Sequence, residues 1–183
     1  MNDLLSWFAT AATILGAFLT ASNLGTRVTG SGFIVFLFGS LGWIGVSAAT
    51  GQEALLWTNI VLTFLNVFGI WRWLGRQARI EEGAKAAADS SEEAPGEALF
   101  PASLLTRAKV LAAGKEIGTC VDAMAGERSG RLSYVVVSEG GLAGVGERLF
   151  KLPWSSARMD GERLATDDAG PLQELNKDQW PAR

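Results

Sequence analysis

The chain has no histidine, and this one absence removes the commonest general base and the commonest metal ligand together. It has a single cysteine, Cys120, so no disulfide can form within it, and a zinc site would have to be built from carboxylates alone, which zinc does not favour. Basic residues are not in excess. The 16 Lys and Arg stand against 19 Asp and Glu for a net charge of −3, and without a basic face to neutralise phosphates nucleic acid is not expected as a partner. No set of general base, metal ligands and activated nucleophile can be assembled, so the expectation is no enzyme, no catalytic residues, no metal and no cofactor. Cys120 lies in an alternating apolar stretch, where a thiol with no base beside it acts as a small hydrophobe.

What is abundant is apolar surface, at 48% of 183 residues and with seven tryptophans. The apolar excess lies almost entirely before residue 75, and the charge follows, so the composition divides the chain in two. Three apolar runs, about 4–24, 32–49 and 54–74, each approach the ~20 residues that cross a hydrocarbon core, and the first charge inside any of them is Arg72. A cleaved signal peptide would need a basic start, whereas Met1, Asn2 and Asp3 open the chain, so the first run reads as a retained helix. With three crossings, Arg27, Arg72, Arg76 and Arg79 all fall on one side, opposite Asp3 and Glu53. The positive-inside bias then puts the N-terminus outside and the C-terminal half in the cytoplasm, in a bacterial inner membrane. Trp7, Trp57, Trp71 and Trp73 near the span ends fit an interfacial belt.

Polar residues recur inside two of the runs at helical spacing. Asn59, Thr63 and Asn66 share one face of the third; Thr13, Gly16, Thr20 and Asn23 share one face of the first. Neither stripe can face lipid unsatisfied, so each should meet the other, a second copy of the chain or a wet cavity. Gly39, Gly42 and Gly45, with Ser40 and Ser47 nearby, allow close helix approach in the second run. The stripes fit interhelix packing and a solute pathway equally. The run Leu65-Asn66-Val67-Phe68-Gly69-Ile70-Trp71-Arg72-Trp73, preceded by Trp57 and Asn59, resembles the last helix of a repeat in the nicotinamide riboside transporter family. More loosely, residues 16–76 are similar to the three-helix half-transporters of the SemiSWEET and PQ-loop class. The resemblance implies dimerisation, with Thr13, Thr20, Asn23, Trp57, Asn59, Thr63 and Asn66 as candidate solute-lining or interhelix residues.

After the transmembrane domain, 1–75, residues 76–102 read as a helical extension followed by an acidic flexible linker around Asp89-Ser90-Ser91-Glu92-Glu93-Ala94-Pro95-Gly96. Beyond it, short strand-like runs at 117–124, 132–138 and 148–152 are followed by Asp160-Gly161, a two-residue hairpin signal. Evenly spaced short strands predict a small antiparallel barrel or sandwich over 103–170, with a short closing helix at 171–176 in a C-terminal tail, 171–183. The glycine-rich stretch 140–146 precedes a strand rather than a helix, which favours a hairpin connection over a phosphate cradle. Pro153-Trp154 marks a bend, and Trp154 is the candidate partner-surface residue.

This half looks like a PRC-barrel domain, the module shared by the H subunit of purple-bacterial reaction centres and the ribosome-maturation factor RimM. The resemblance is carried by Gly114-Lys115-Glu116-Ile117-Gly118-Thr119-Cys120-Val121-Asp122, by Gly130-Arg131-Leu132-Ser133-Tyr134-Val135-Val136-Val137-Ser138, and by Arg148-Leu149-Phe150-Lys151-Leu152-Pro153-Trp154-Ser155. It implies a binding or assembly module without chemistry of its own. The expected fold class is therefore a three-helix transmembrane domain plus a small all-β, PRC-barrel-like domain. The expected function is presentation of that module to a protein partner from the membrane; the alternative is a homodimeric half-transporter for a small polar solute, with the barrel regulatory. Membrane lipid, a further copy of the chain and a protein at the barrel are the expected partners.

Overall fold

The structure is a computed structural model and describes residues 2–22, 24–140, 146–167 and 172–176. The chain divides into two compact units, Met1–Ala86 and Ala87–Arg183.

The first unit is helical: α1 Asn2–Ala21, α2 Thr26–Thr50 and α3 Glu53–Ile70, which runs through a π-helical turn at Trp71–Gln77 into α4 Ala78–Glu92. Among the described residues, three helices are long and apolar enough to cross a membrane: Asp3–Ala21, Thr26–Thr50 and the continuous Glu53–Glu92. α2 begins six residues before the apolar run does, because Arg27 on its first turn is exposed and pairs with Glu82, so a charge there costs the helix nothing. The turn after it closes on Gly51, which takes a left-handed φ of 70°.

α1 and α3 both pack on α2, along faces one residue step apart, roughly 100° around its axis. Toward α1, a Cβ on Gly39 would stand 3.0 Å from Thr13 Oγ1, and one on Gly42 3.0 Å from the Ala9 Cβ. Toward α3, the Phe33 ring fills the space that a side chain on Gly69 would occupy, and Leu74 does the same against Gly30. The positions of the long third helix that meet α2 include Thr63, Asn66, Gly69, Leu74 and Glu81, with Ala78 buried in phase with them. The step of five between Gly69 and Leu74 is the mark of the π turn, which inserts one residue into the helical phase. Large apolar side chains point away from α2 on both flanking helices, among them Phe18 at 67% and Phe64 at 72% exposure.

Helix persists to Glu92, so Asp89–Glu92 are not the flexible link the composition suggests. Ser91 Oγ donates to the Ala88 carbonyl at 2.6 Å and accepts the Leu99 amide at 2.7 Å, folding the chain back at the helix end.

The second unit is a seven-stranded sheet: β1 Lys109–Ala112, β2 Lys115–Ala125, β3 Leu132–Glu139, β4 Arg148–Pro153, β5 Ala157–Asp160, β6 Arg163–Thr166 and β7 Gln173–Leu175, in the order β5-β6-β1-β2-β3-β4-β7. It differs from the expected closed antiparallel barrel in two ways. β6 lies parallel to β1, since the β5–β6 hairpin returns across the sheet to β1's free side, and the outer strands β5 and β7 do not pair with each other. Alternation places Val135 and Val137 on one face of β3, packed with Val110, Cys120, Phe150, Leu152 and Leu164 as the main core, while Tyr134 and Val136 pack with Leu175 on the other. That second face explains why 173–175 form a strand rather than the short helix expected: Leu175 pairs with Leu149, and Arg148 grips Glu174 through both oxygens at 3.0 and 2.9 Å. The β5–β6 turn is Gly161-Glu162, one residue beyond Asp160-Gly161, with Asp160 pairing Arg163. β3 and β4 are antiparallel neighbours joined by the glycine-rich stretch, whose residues 141–145 lie outside the described residues.

Gly118 sits where β2 runs tightly along β3, and an added Cβ would collide with the Ser138 carbonyl, a backbone atom that cannot step aside. By contrast, a Cβ on Gly83 in α4 meets nothing within 4 Å. Gly118→Ala is expected to destabilise the sheet unit by about 1–3 kcal/mol, and Gly83→Ala to stabilise its helix by about 0.5–1 kcal/mol. Denaturant unfolding of the full chain in mild detergent checks both, and equal effects from the two substitutions would contradict the tight β2–β3 approach.

Candidate functional site

Two polar side chains of α3 converge on one hydroxyl, Ser40 on α2. Thr63 Oγ1 lies 3.0 Å from Ser40 Oγ, and Asn66 Nδ2 donates to it at 3.4 Å; Ser40 itself reaches the Leu37 carbonyl at 3.0 Å. Thr63 is also 2.8 Å from the carbonyl of Asn59, and Asn59 Nδ2 donates to the Leu55 carbonyl at 2.9 Å. The α3 stripe is thus brought together, with Asn59 4% and Asn66 7% exposed. Among the described residues, neither Asn59 Oδ1 nor Asn66 Oδ1 accepts a hydrogen bond, which leaves two amide oxygens buried with unused capacity.

The α1 stripe does not join this seam. Thr13 and Thr20 bond back to the carbonyls of Ala9 and Gly16, at 2.8 and 2.9 Å, and lie along the α2 glycines, Thr13 by its hydroxyl against Gly39 and Thr20 by its methyl against Gly32. Each stripe faces α2 rather than the other stripe, because the glycines and Ser40 occupy adjacent faces of the same helix. Asn23 lies outside the described residues. Trp57 stands apart, 65% exposed on the outer side of α3. Ser40 is the residue the spacing argument underweighted; its signal was a hydroxyl one position beyond Gly39, on the neighbouring face.

A second polar junction ties α2's start to α4. The Thr26 hydroxyl donates to Glu81 Oε1 at 2.5 Å, and Arg27 pairs with Glu82 at 3.0 Å. The paired sequences Thr26-Arg27 and Glu81-Glu82 carried this signal, 55 residues apart.

In the sheet unit Trp154 is half-buried in a short turn, Trp154–Ser156, and packs on the main core with its indole 5.6 Å from the Phe100 ring. Cys120 is fully buried in that core, and its Sγ–H points to the Asp122 carbonyl at 3.4 Å. Burial pushes the thiol from 9.0 up to about 11, against the smaller lowering effect of that carbonyl contact. Val121 is the extra residue of a bulge in β2, skipped between the Cys120–Val137 and Asp122–Val136 pairs. No group of three or more His, Cys, Asp or Glu that could hold a metal ion occurs among the described residues. Compared with known proteins, the chain matches no family model and no curated protein.

Two outcomes are expected. Ser40→Ala removes the acceptor of Asn66 and the partner of Thr63, and should weaken the α2–α3 contact by about 1 kcal/mol, readable in a detergent-denaturation titration; no change would mean the seam contributes nothing. Because Cys120's folded pKa is raised, its contribution to stability is complete below pH 9 and is lost as pH rises from 9 toward about 11, where the unfolded thiol ionises first. Maleimide should therefore label the folded chain far more slowly at pH 8 than the unfolded chain, and equal rates would contradict a buried, protonated thiol.

Proposed function

We propose that the chain is an integral membrane protein that presents its sheet unit, on the cytoplasmic side, as a binding or assembly module of the PRC-barrel type. The observation that carries this reading is the opposite surface chemistry of the two units. The helical unit turns Phe18, Phe64, Trp57 and Trp71 outward and buries Ser40, Ser47, Asn59 and Asn66, an inside-out arrangement suited to lipid. The sheet unit hides Val110, Val135, Val137, Leu152 and Leu164 and turns charge outward, as a water-facing module does. Arg27, Arg72, Arg76 and Arg79 support placing the sheet unit on the positive side, in a bacterial inner membrane.

Among the described residues the outer strands of the sheet are β5 and β7, and edge pairing is one of the recurring ways a small β module takes a peptide. A half-transporter is the second reading, and the unused amide oxygens of Asn59 and Asn66 favour it, since a dimer or a polar solute could supply what they lack.

Affinity capture from detergent-solubilised membranes, with the full chain and with residues 103–170 deleted, discriminates the readings. Loss of specific partners on deletion supports the module; identical partners for both forms would sink it. For the second reading, Asn59→Ala or Asn66→Ala should abolish solute uptake into vesicles holding the purified chain while dimerisation persists, and a strictly monomeric chain would count against it.

A further inference from the structure

The three arginines after the third apolar run sit in an unusual electrostatic setting. Arg72, Arg76 and Arg79 are all exposed, they recur at spacings of four and three along the continuous helix, and none has a carboxylate partner among the described residues. Arg79 uses only its Nε, donating to the Gly75 carbonyl at 3.0 Å. Acidic residues are close in sequence, but the π turn places them elsewhere. Without the extra residue, the α2-facing positions after Asn66 would continue as Trp73, Gln77 and Ile80. With it they are Leu74, Ala78 and Glu81, so Glu81 meets Thr26 and Glu82 meets Arg27 across the helix pair. The helix thereby sorts its charges: the acids go to α2, and three guanidinium groups are left without neutralisation.

These groups lie where the apolar surface ends. Trp71, 55% exposed and with its ring 5.6 Å from that of Phe68 in a tilted contact, sits at the head of the same turn. From Arg72 to Arg79 the helix rises roughly 10 Å, comparable with the headgroup layer of one leaflet. Aromatic rings at the start of that layer and unneutralised guanidinium groups through it are complementary to phosphate oxygens, which guanidinium binds in a planar, bidentate way.

We infer that Arg72, Arg76 and Arg79 form a docking face for the headgroup phosphates of anionic phospholipid. This rests on the membrane reading above and adds a lipid class to it.

The test uses the full chain reconstituted with an equimolar mixture of phosphatidylcholine and phosphatidylglycerol, then stripped with mild detergent, with the retained lipid counted by native mass spectrometry. Wild type should retain phosphatidylglycerol over phosphatidylcholine by roughly fivefold or more. The combined variant Arg72→Gln, Arg76→Gln, Arg79→Gln should retain both equally, whereas Arg128→Gln with Arg131→Gln in the sheet unit should behave as wild type. If the triple variant fails to fold, Arg72→Gln and Arg76→Gln singly should each lower the preference. No preference in wild type, or an unchanged preference in the folded arginine variants, overturns the inference. Excess inorganic phosphate that strips the bound lipid as completely as the triple substitution would reassign the face to free phosphate and overturn it as well. Alkaline carbonate extraction separates this failure from that of the membrane reading. A chain that stays in the membrane pellet yet shows no preference sinks only the lipid face, and a chain released by carbonate sinks both.

Discussion

Everything in the helical unit depends on how closely α1 and α3 can approach α2. In an apolar surrounding there is no gain from hiding apolar side chains, so helices associate by backbone proximity, dispersion and a few hydrogen bonds. α2 supplies the proximity with glycine: Gly32, Gly39 and Gly42 toward α1, and Gly30 toward the long third helix. It supplies the hydrogen bonds with Ser40, without which Thr63 and Asn66 of α3 would have nothing to bond across the interface. Larger residues at these positions would part the helices, and the polar seam would open with them.

The same constraint decides what the polar stripes mean. A pathway enclosed by one copy would need the α1 and α3 stripes to face each other across a gap. Instead α2 fills that role, and the threonines of α1 are satisfied by their own preceding turn, at no cost to the helix contact. Among the described residues, only the α3 stripe keeps unused capacity, in the amide oxygens of Asn59 and Asn66. A transport reading must therefore draw on a second copy or on movement between α2 and α3, whereas the module reading needs neither.

Sequence reasoning captured the helices because their signal is length and composition, which no packing detail can reverse. It captured the hairpins at β2–β3–β4 and β5–β6 because turn residues and alternation act locally. What it missed was set by non-local pairing. β1 is four residues long and turns into β2 through Ala113-Gly114, both at positive φ, of which only the glycine advertises the turn. β7 exists because Leu149 and Arg148 offer it partners, not because Gln173-Glu174-Leu175 favours a strand. The parallel β1–β6 pair, which leaves the sheet open, joins segments more than 50 residues apart and has no local signature at all. Among candidate site residues, Asn59, Thr63 and Asn66 were found by spacing; Ser40, the shared partner of Thr63 and Asn66, was not, since it sits on another helix.

The π turn is the clearest case of a feature invisible to periodicity yet decisive for chemistry. Reading the third helix at a constant 3.6 residues per turn carries Asn59, Thr63 and Asn66 correctly to α2, then loses phase after Gly69 and assigns Trp73, Gln77 and Ile80 to the contact. The actual contact residues are Leu74, Ala78 and Glu81. One inserted residue exchanges an indole, an amide and an isoleucine for a leucine, an alanine and a carboxylate. The carboxylate is what permits α2 to begin at Thr26, with a hydroxyl and a guanidinium beside it, instead of at the first uncharged residue. The junction that starts α2 and the arginine face that borders it are therefore two results of the same step in helical phase, and a change that restored ordinary α-helix through Trp71–Gln77 would disturb both at once.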